Sequence, residues 1–171
     1  LRPQYPLILA VMAALKLDAI VVPFNVRFTA TEVGYVADDA DCRVMVSEEA
    51  FTDALGAIGD RRIVMAEQLD EHRLAGEAPA FSGGGGGAMP AFICYTSGTT
   101  GDPKGVLYSH RSVVLHALAT GLSGAFGFTA FDVILACSSL YHATAWGLPF
   151  TAAVNGCKMV LPCDKMDGAR L

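Results

Sequence analysis

Residues 95–105 read Tyr-Thr-Ser-Gly-Thr-Thr-Gly-Asp-Pro-Lys-Gly and follow directly on the apolar run Ala91, Phe92, Ile93, Cys94. Those residue types suit a polyphosphate. Gly98, Gly101 and Gly105 let the backbone take positive φ and turn its N–H groups toward an anion. The hydroxyls of Thr96, Ser97, Thr99 and Thr100 add donors, and Lys104 adds a point charge. Lys104 is followed by Gly105 and Val106, not by the Ser or Thr that follows the lysine of a Walker A loop, so a kinase or ATPase of that type is disfavoured. A Ser/Thr/Gly cluster alone is usually only a connector. Eleven such residues in register, launched from an apolar run, point to a binding loop.

A second constellation is Ser139-Leu140-Tyr141-His142-Ala143-Thr144-Ala145-Trp146-Gly147-Leu148-Pro149. It follows a run expected to be a strand, which places it at the carboxyl edge of a sheet, where open α/β sheets bind ligands. An imidazole there, His142, could donate to a carboxylate or a carbonyl oxygen, which makes it a possible catalytic residue. A lone histidine beside apolar residues is nonetheless often structural, and a lone tryptophan such as Trp146 is usually core. For His110, helix capping or loop packing serves as well as a ligand role.

The elements that must position these residues alternate. Tyr5 to Leu17 reads as a helix buried in a larger body, with Pro6 in its first turn, and Ile20 to Pro23 reads as a short strand. Thr29 and Glu32 have capping-box spacing and start a helix to about Asp39. A strand over Arg43–Val46, a helix over Glu48–Ile58 and a strand over Arg62–Met65 complete βα units around a mostly parallel sheet. Residues 82–90, Ser-Gly-Gly-Gly-Gly-Gly-Ala-Met-Pro, read as a flexible linker because no strand leads in and no lysine or hydroxyl follows. Beyond it come a strand (91–95), the loop, a helix from about Arg111 to Thr120 with Ser109 as N-cap, a strand (131–137), an apolar helix (145–154) and a strand (157–161). The chain thus divides into a first βα portion (1–81), the linker (82–90), and a portion carrying both constellations (91–171).

Composition narrows the class. At 171 residues the chain is about one domain, and 53% apolar residues is high enough that part of its surface expects a partner. It starts at Leu1 without a methionine and stops at Leu171 without a tail, as a piece of a longer protein would. With a net charge of -5 and 12 basic residues thinly spread, nucleic acid is not an expected partner. The stretch Leu7–Val22 is interrupted by Lys16 and Asp18 and falls short of the ~20 residues of a membrane span, and no signal peptide is visible. Five cysteines without a Cys-x-x-Cys pair suit reduced, buried thiols in a cytoplasmic enzyme. Cys94 and Cys137 have no neighbouring base and read as packing residues. The four histidines lack zinc-ligand spacing.

Residues 95–105 resemble the phosphate-binding signature of the adenylate-forming (AMP-binding) enzymes, the acyl-CoA synthetases and their relatives. Tyr141-His142 is similar to the signature that lines the acyl pocket in that family, although Ser139 and Leu140 stand where Pro and Met are usual. Trp146 falls where long- and medium-chain fatty-acyl-CoA synthetases carry a tryptophan that gates the acyl tunnel, and His110 matches a common histidine. Residues 15–29 look like the family's helix-strand-turn segment, with Asp18 in place of a frequent glycine; Asp tolerates a left-handed backbone.

The resemblance implies an α/β fold, the front part of the large N-terminal domain of an acyl-CoA synthetase, with mostly parallel sheets flanked by helices. It implies that Thr96, Ser97, Gly98, Thr99, Thr100, Gly101 and Lys104 hold the β- and γ-phosphates of ATP. Ser97 would lie close to Mg²⁺, and Asp102 would face solvent in the turn completed by Pro103. Tyr141, His142 and Trp146 would line the acyl pocket. The implied reaction joins ATP to a carboxylic acid, a fatty acid by the tryptophan, and passes the acyl group to coenzyme A. The family's Thr-Glu segment, ribose-binding acid, hinge and C-terminal domain with its lysine are not found in the sequence. The chain alone is therefore expected to be inactive, its partner being the remainder of its own polypeptide. An amino-acid- or aryl-acid-activating enzyme and a truncated, non-catalytic nucleotide-binding module stay open as alternatives.

Overall fold

The computed structural model describes residues 5–69, 86–96, 101–142 and 145–161. Helix α1 (Tyr5–Lys16) lays Leu7, Ile8, Val11 and Leu15 along one face. Leu7 and Ile8 pack on the cluster of Ala136, Leu140 and Ala145, while Val11 and Leu15 pack on Ala91, Phe92 and Trp146. Within this chain no α1 residue is fully buried. The chain leaves α1 through Asp18 at φ 55, the left-handed position anticipated for it. The strand expected at Ile20–Pro23 shrinks to a single parallel bridge between Val21 and Phe92. Its bonds are Val21 N to Ala91 O (2.8 Å) and Ile93 N to Val21 O (2.9 Å), and Pro23 has no N–H to extend the ladder.

Helix α2 (Ala30–Asp39) begins with the capping box read from the sequence: Glu32 N donates to Thr29 Oγ1 and Thr29 N donates to Glu32 Oε2. Val33 and Ala37 bury against Met45 and Ile58. The helix ends on Asp38 and Asp39 with no basic residue in its last turn, which opposes the helix dipole. Arg61 supplies the missing cation. Its guanidinium donates to the carbonyls of Cys42 (2.7 Å), Ile58 (2.6 Å) and Ala37 (3.3 Å) and to Asp38 Oδ1 (2.6 Å). Strands β1 (Val44–Ser47) and β2 (Arg62–Met65) pair in parallel. The helix expected between them is a 3-10 helix over Glu49–Ala57, and no side chain caps its start at Glu48.

Of the glycine run, Gly86 and Gly87 belong to an ordered turn: Met89 N donates to Gly86 O and Arg111 N to Gly87 O. Strand β3 (Pro90–Thr96) then pairs antiparallel with β4 (Lys104–Ser109), a strand absent from the sequence reading. Helix α3 (His110–Gly121) has Ser109 as its N-cap, accepting from Ser112 N at 3.2 Å. Strand β5 (Val133–Leu135), helix α4 (Leu148–Asn155) and strand β6 (Lys158–Val160) follow, and β5 and β6 are parallel. Helix α4 starts at Leu148 instead of Ala145, takes Pro149 in its first turn, and ends on Gly156 at φ 72. Among the described residues two of the three strand pairings are parallel, and the antiparallel one flanks the phosphate-loop candidate.

Among the described residues no helix is long and apolar enough to cross a membrane. Cys42, Cys94, Cys137 and Cys157 are free thiols. Burial pushes the Cys94 thiol up to about 11, which suits a packing residue. Cys137 does not fit the expectation of a buried thiol, because it sits exposed just beyond the end of β5.

Candidate nucleotide and acyl site

Strand β3 alternates between core and loop duties. Ala91, Phe92 and Cys94 are buried, and the strand runs out through half-buried Tyr95 to exposed Thr96. Register then returns the chain at Lys104 opposite Thr96, where Thr96 Oγ1 lies 3.4 Å from Lys104 O. Thr96 and Lys104 are therefore the paired strand ends that flank the loop. Ser97, Gly98, Thr99 and Thr100 lie outside the described residues. Gly101 has φ 127, a backbone that L side chains avoid, and Asp102 is exposed beside Pro103, as expected for the turn. Lys104 is exposed at the first position of β4.

Gly105 does not do what its place in the motif implied. It lies within β4 opposite Tyr95 and is not among the glycines with positive φ. A Cβ there would stand 2.8 Å from Ile93 Cγ2 and 3.1 Å from Tyr95 Cζ. Glycine is needed because the Tyr95 ring crosses the partner strand at that point. The ring carries its hydroxyl to Asp39 at the end of α2, donating to Oδ2 at 2.5 Å. Burial first, and then the bond to Asp39, raise the Tyr95 phenol above its ordinary range.

The second constellation forms a turn between β5 and α4. His142 N donates to Ser139 O, and His142 O accepts from Ala145 N (3.0 Å) and Trp146 N (3.1 Å). Tyr141 is half-buried and His142 exposed, while Ala143 and Thr144 lie outside the described residues. Trp146 is only 6% exposed. Its ring meets Phe92 at 5.2 Å, Tyr108 at 5.1 Å and His116 at 5.5 Å, the last nearly parallel at 18°. Gly147 makes room for that stack, since a Cβ there would fall 2.5 Å from His116 Nε2. Trp146 also borders an apolar cavity of about 20 Å³ shared with Leu7, Val11, Leu140 and Phe150. That volume holds about one water molecule.

The two constellations meet through Phe92. It belongs to the strand that launches the loop and packs on the tryptophan of the second site. His110 opens α3 without capping it by its side chain, and its Nε2 is buried with no hydrogen-bond partner among the described residues. Tyr95 and Asp39 as a pair, and the Tyr108–His116 embrace of Trp146, were not foreseen. Tyr95 stands inside the motif, but nothing local in the sequence points it at Asp39. Among the described residues no three His, Cys, Asp or Glu side chains gather as a metal site.

This fold, with its hairpin loop, defines the N-terminal domain of the adenylate-forming enzymes. The chain is similar to the inhibitor-bound N-terminal domain of FACL13 from Mycobacterium tuberculosis, with a TM-score of 0.75 and 29% identity over 87% of this chain and 39% of that one. The family model described as AMP-binding enzyme matches residues 1–171, and the chain belongs to that family. It is 53% identical over 79 residues to a medium-chain-fatty-acid–CoA ligase of Ectopseudomonas oleovorans, covering 46% of this chain and 14% of that protein. It is 33% identical over 172 residues to a long-chain-fatty-acid–CoA ligase of Thermus thermophilus, covering 95% of this chain and 32% of that protein. The chain thus spans about a third or less of the length of these relatives.

Proposed function

We propose that the chain is the phosphate-binding and acyl-pocket part of an ATP-dependent acyl-CoA synthetase, and that the complete protein adenylates a fatty acid and passes the acyl group to coenzyme A. The observation that carries this reading is the hairpin that holds exposed Lys104 opposite Thr96 at the mouth of a hydroxyl- and glycine-rich loop. A carboxylate attacks an α-phosphate only when the charge of the triphosphate is neutralised and its departure as pyrophosphate is stabilised. In this reading Thr96, Ser97, Gly98, Thr99, Thr100, Gly101 and Lys104 hold the β- and γ-phosphates.

Mg²⁺ fits as an ion carried on the nucleotide: it characteristically takes phosphate oxygens and few protein ligands, the loop sequence offers hydroxyls, and among the described residues no cluster of His, Cys, Asp or Glu gathers. Ser97 is the hydroxyl proposed nearest to it. Tyr141, His142 and Trp146 are proposed to face the acyl group, with His142 as the donor toward its carboxylate. The free thiols favour a reducing, cytoplasmic location. The fatty-acid assignment draws on the two named ligases it resembles.

The test is pyrophosphate release by the complete protein across a panel of fatty, aryl and amino acids, with and without coenzyme A. Release with fatty acids and formation of the thioester is the expected result. Preference for an aryl or amino acid would replace the substrate class. ATP binding without release for any acid would leave a non-catalytic nucleotide module. The chain of 171 residues by itself is expected to release none, because it spans only about a third or less of the length of the ligases it resembles.

A further inference from the structure

We infer that Asp39 is a positioning residue for the nucleotide: through the hydroxyl of Tyr95 it fixes the base of the phosphate hairpin onto α2, an inference that rests on the phosphate-binding reading of the loop. An isolated two-stranded hairpin is marginal in water. Upstream, β3 is held by the Val21 bridge and by Phe92 in the aromatic cluster. Toward the loop that support fades, since Cys94 is the last fully buried residue of β3 and Lys104–Leu107 of β4 are exposed. The bond from Tyr95 to Asp39 lies beyond that limit, one residue from Thr96 and directly across from Gly105. At 2.5 Å between a phenol and a carboxylate it belongs to the strong, charge-assisted class.

The anchor itself is rigid. A capping box secures the start of α2, and Arg61 grips its end by the Ala37 carbonyl and Asp38. Tyr35, one turn before Asp39 on the same helix, has its phenol raised by desolvation first and then by the charges of Asp39 and Asp102. The turn residue Asp102 is therefore within electrostatic reach of α2 as well. Gly105 completes the device, because any side chain there would displace the Tyr95 ring that delivers the hydroxyl. Asp39 thus touches no phosphate; it sets where Thr96 and Lys104 stand.

Tyr95→Phe keeps the ring over Gly105 and deletes only the hydroxyl. In the complete protein, Tyr95→Phe and Asp39→Ala should each raise the KM for ATP roughly tenfold while leaving the KM for the carboxylic acid within about twofold. The double variant should be no worse than either single one, since both remove the same bond. Asp39→Asn retains an acceptor oxygen without the charge and should recover part of the loss; with Tyr95→Phe it carries the test if Asp39→Ala does not fold. A Tyr95→Phe protein with an unchanged KM for ATP, beside a Lys104→Ala protein that is impaired, would overturn the positioning role alone. Silence in both variants would overturn the phosphate reading beneath it. Equal rises in the KM for ATP and for the acid would mark general loss of structure and also overturn the positioning role.

Discussion

Replacing Lys104 with alanine in the complete protein should slow pyrophosphate formation by about 30-fold or more, equivalent to ~2 kcal/mol of transition-state stabilisation. The size follows from where the charge stands. Lys104 occupies the first position of β4, across from Thr96, on a hairpin whose position is set from below by Tyr95 and Asp39. A cation held at that place would act on the departing phosphates if the loop binds them as proposed. Because the side chain is exposed, its removal should leave stability within about 0.5 kcal/mol of the parent. Pyrophosphate release with ATP varied at saturating acid, beside thermal unfolding, separates the two effects. Lys104→Arg should recover part of the rate, as it keeps charge but changes its shape.

The second large effect concerns stability. Trp146→Ala should destabilise the protein by about 3–5 kcal/mol, the range for truncating a buried aromatic. Trp146 is the hub on which Phe92, Tyr108, His116 and Phe150 converge, and its loss would open a cavity beneath the strand that carries the loop. Urea unfolding followed by circular dichroism gives the loss directly. Trp146→Phe should cost distinctly less, about 1–2 kcal/mol, because it retains most of the apolar volume. If Trp146 also faces the acyl chain, that milder variant is the one to carry into fatty acids of different length.

What was legible in the sequence was local. Thr29 and Glu32 lie three residues apart and form their capping box; Asp18 takes its left-handed turn; and Ser109 caps α3. What escaped depends on contacts across the chain. Strand β4 was hidden because its first residues, Lys104 and Gly105, read as the end of the motif, and its exposed Val106 and Leu107 show no alternation. The reason for Gly105 is a ring on the opposite strand, and the partner of Tyr95 lies 56 residues away. Arg61 likewise caps a helix that ended more than twenty residues earlier. The site followed the same division: residue types suggested a chemistry to test, whereas the hairpin frame, the contact of Tyr95 with α2 and the aromatic seat of Trp146 required the folded chain.

The most direct measurement is hydrogen–deuterium exchange of the complete protein with and without Mg²⁺ and ATP, read by mass spectrometry on the peptide spanning 95–105. Slower exchange there on adding nucleotide, lost in the Lys104→Ala protein, is the expected result. No affinity for ATP, or protection that spares this peptide and appears elsewhere, would contradict the assignment of the hairpin as the phosphate site.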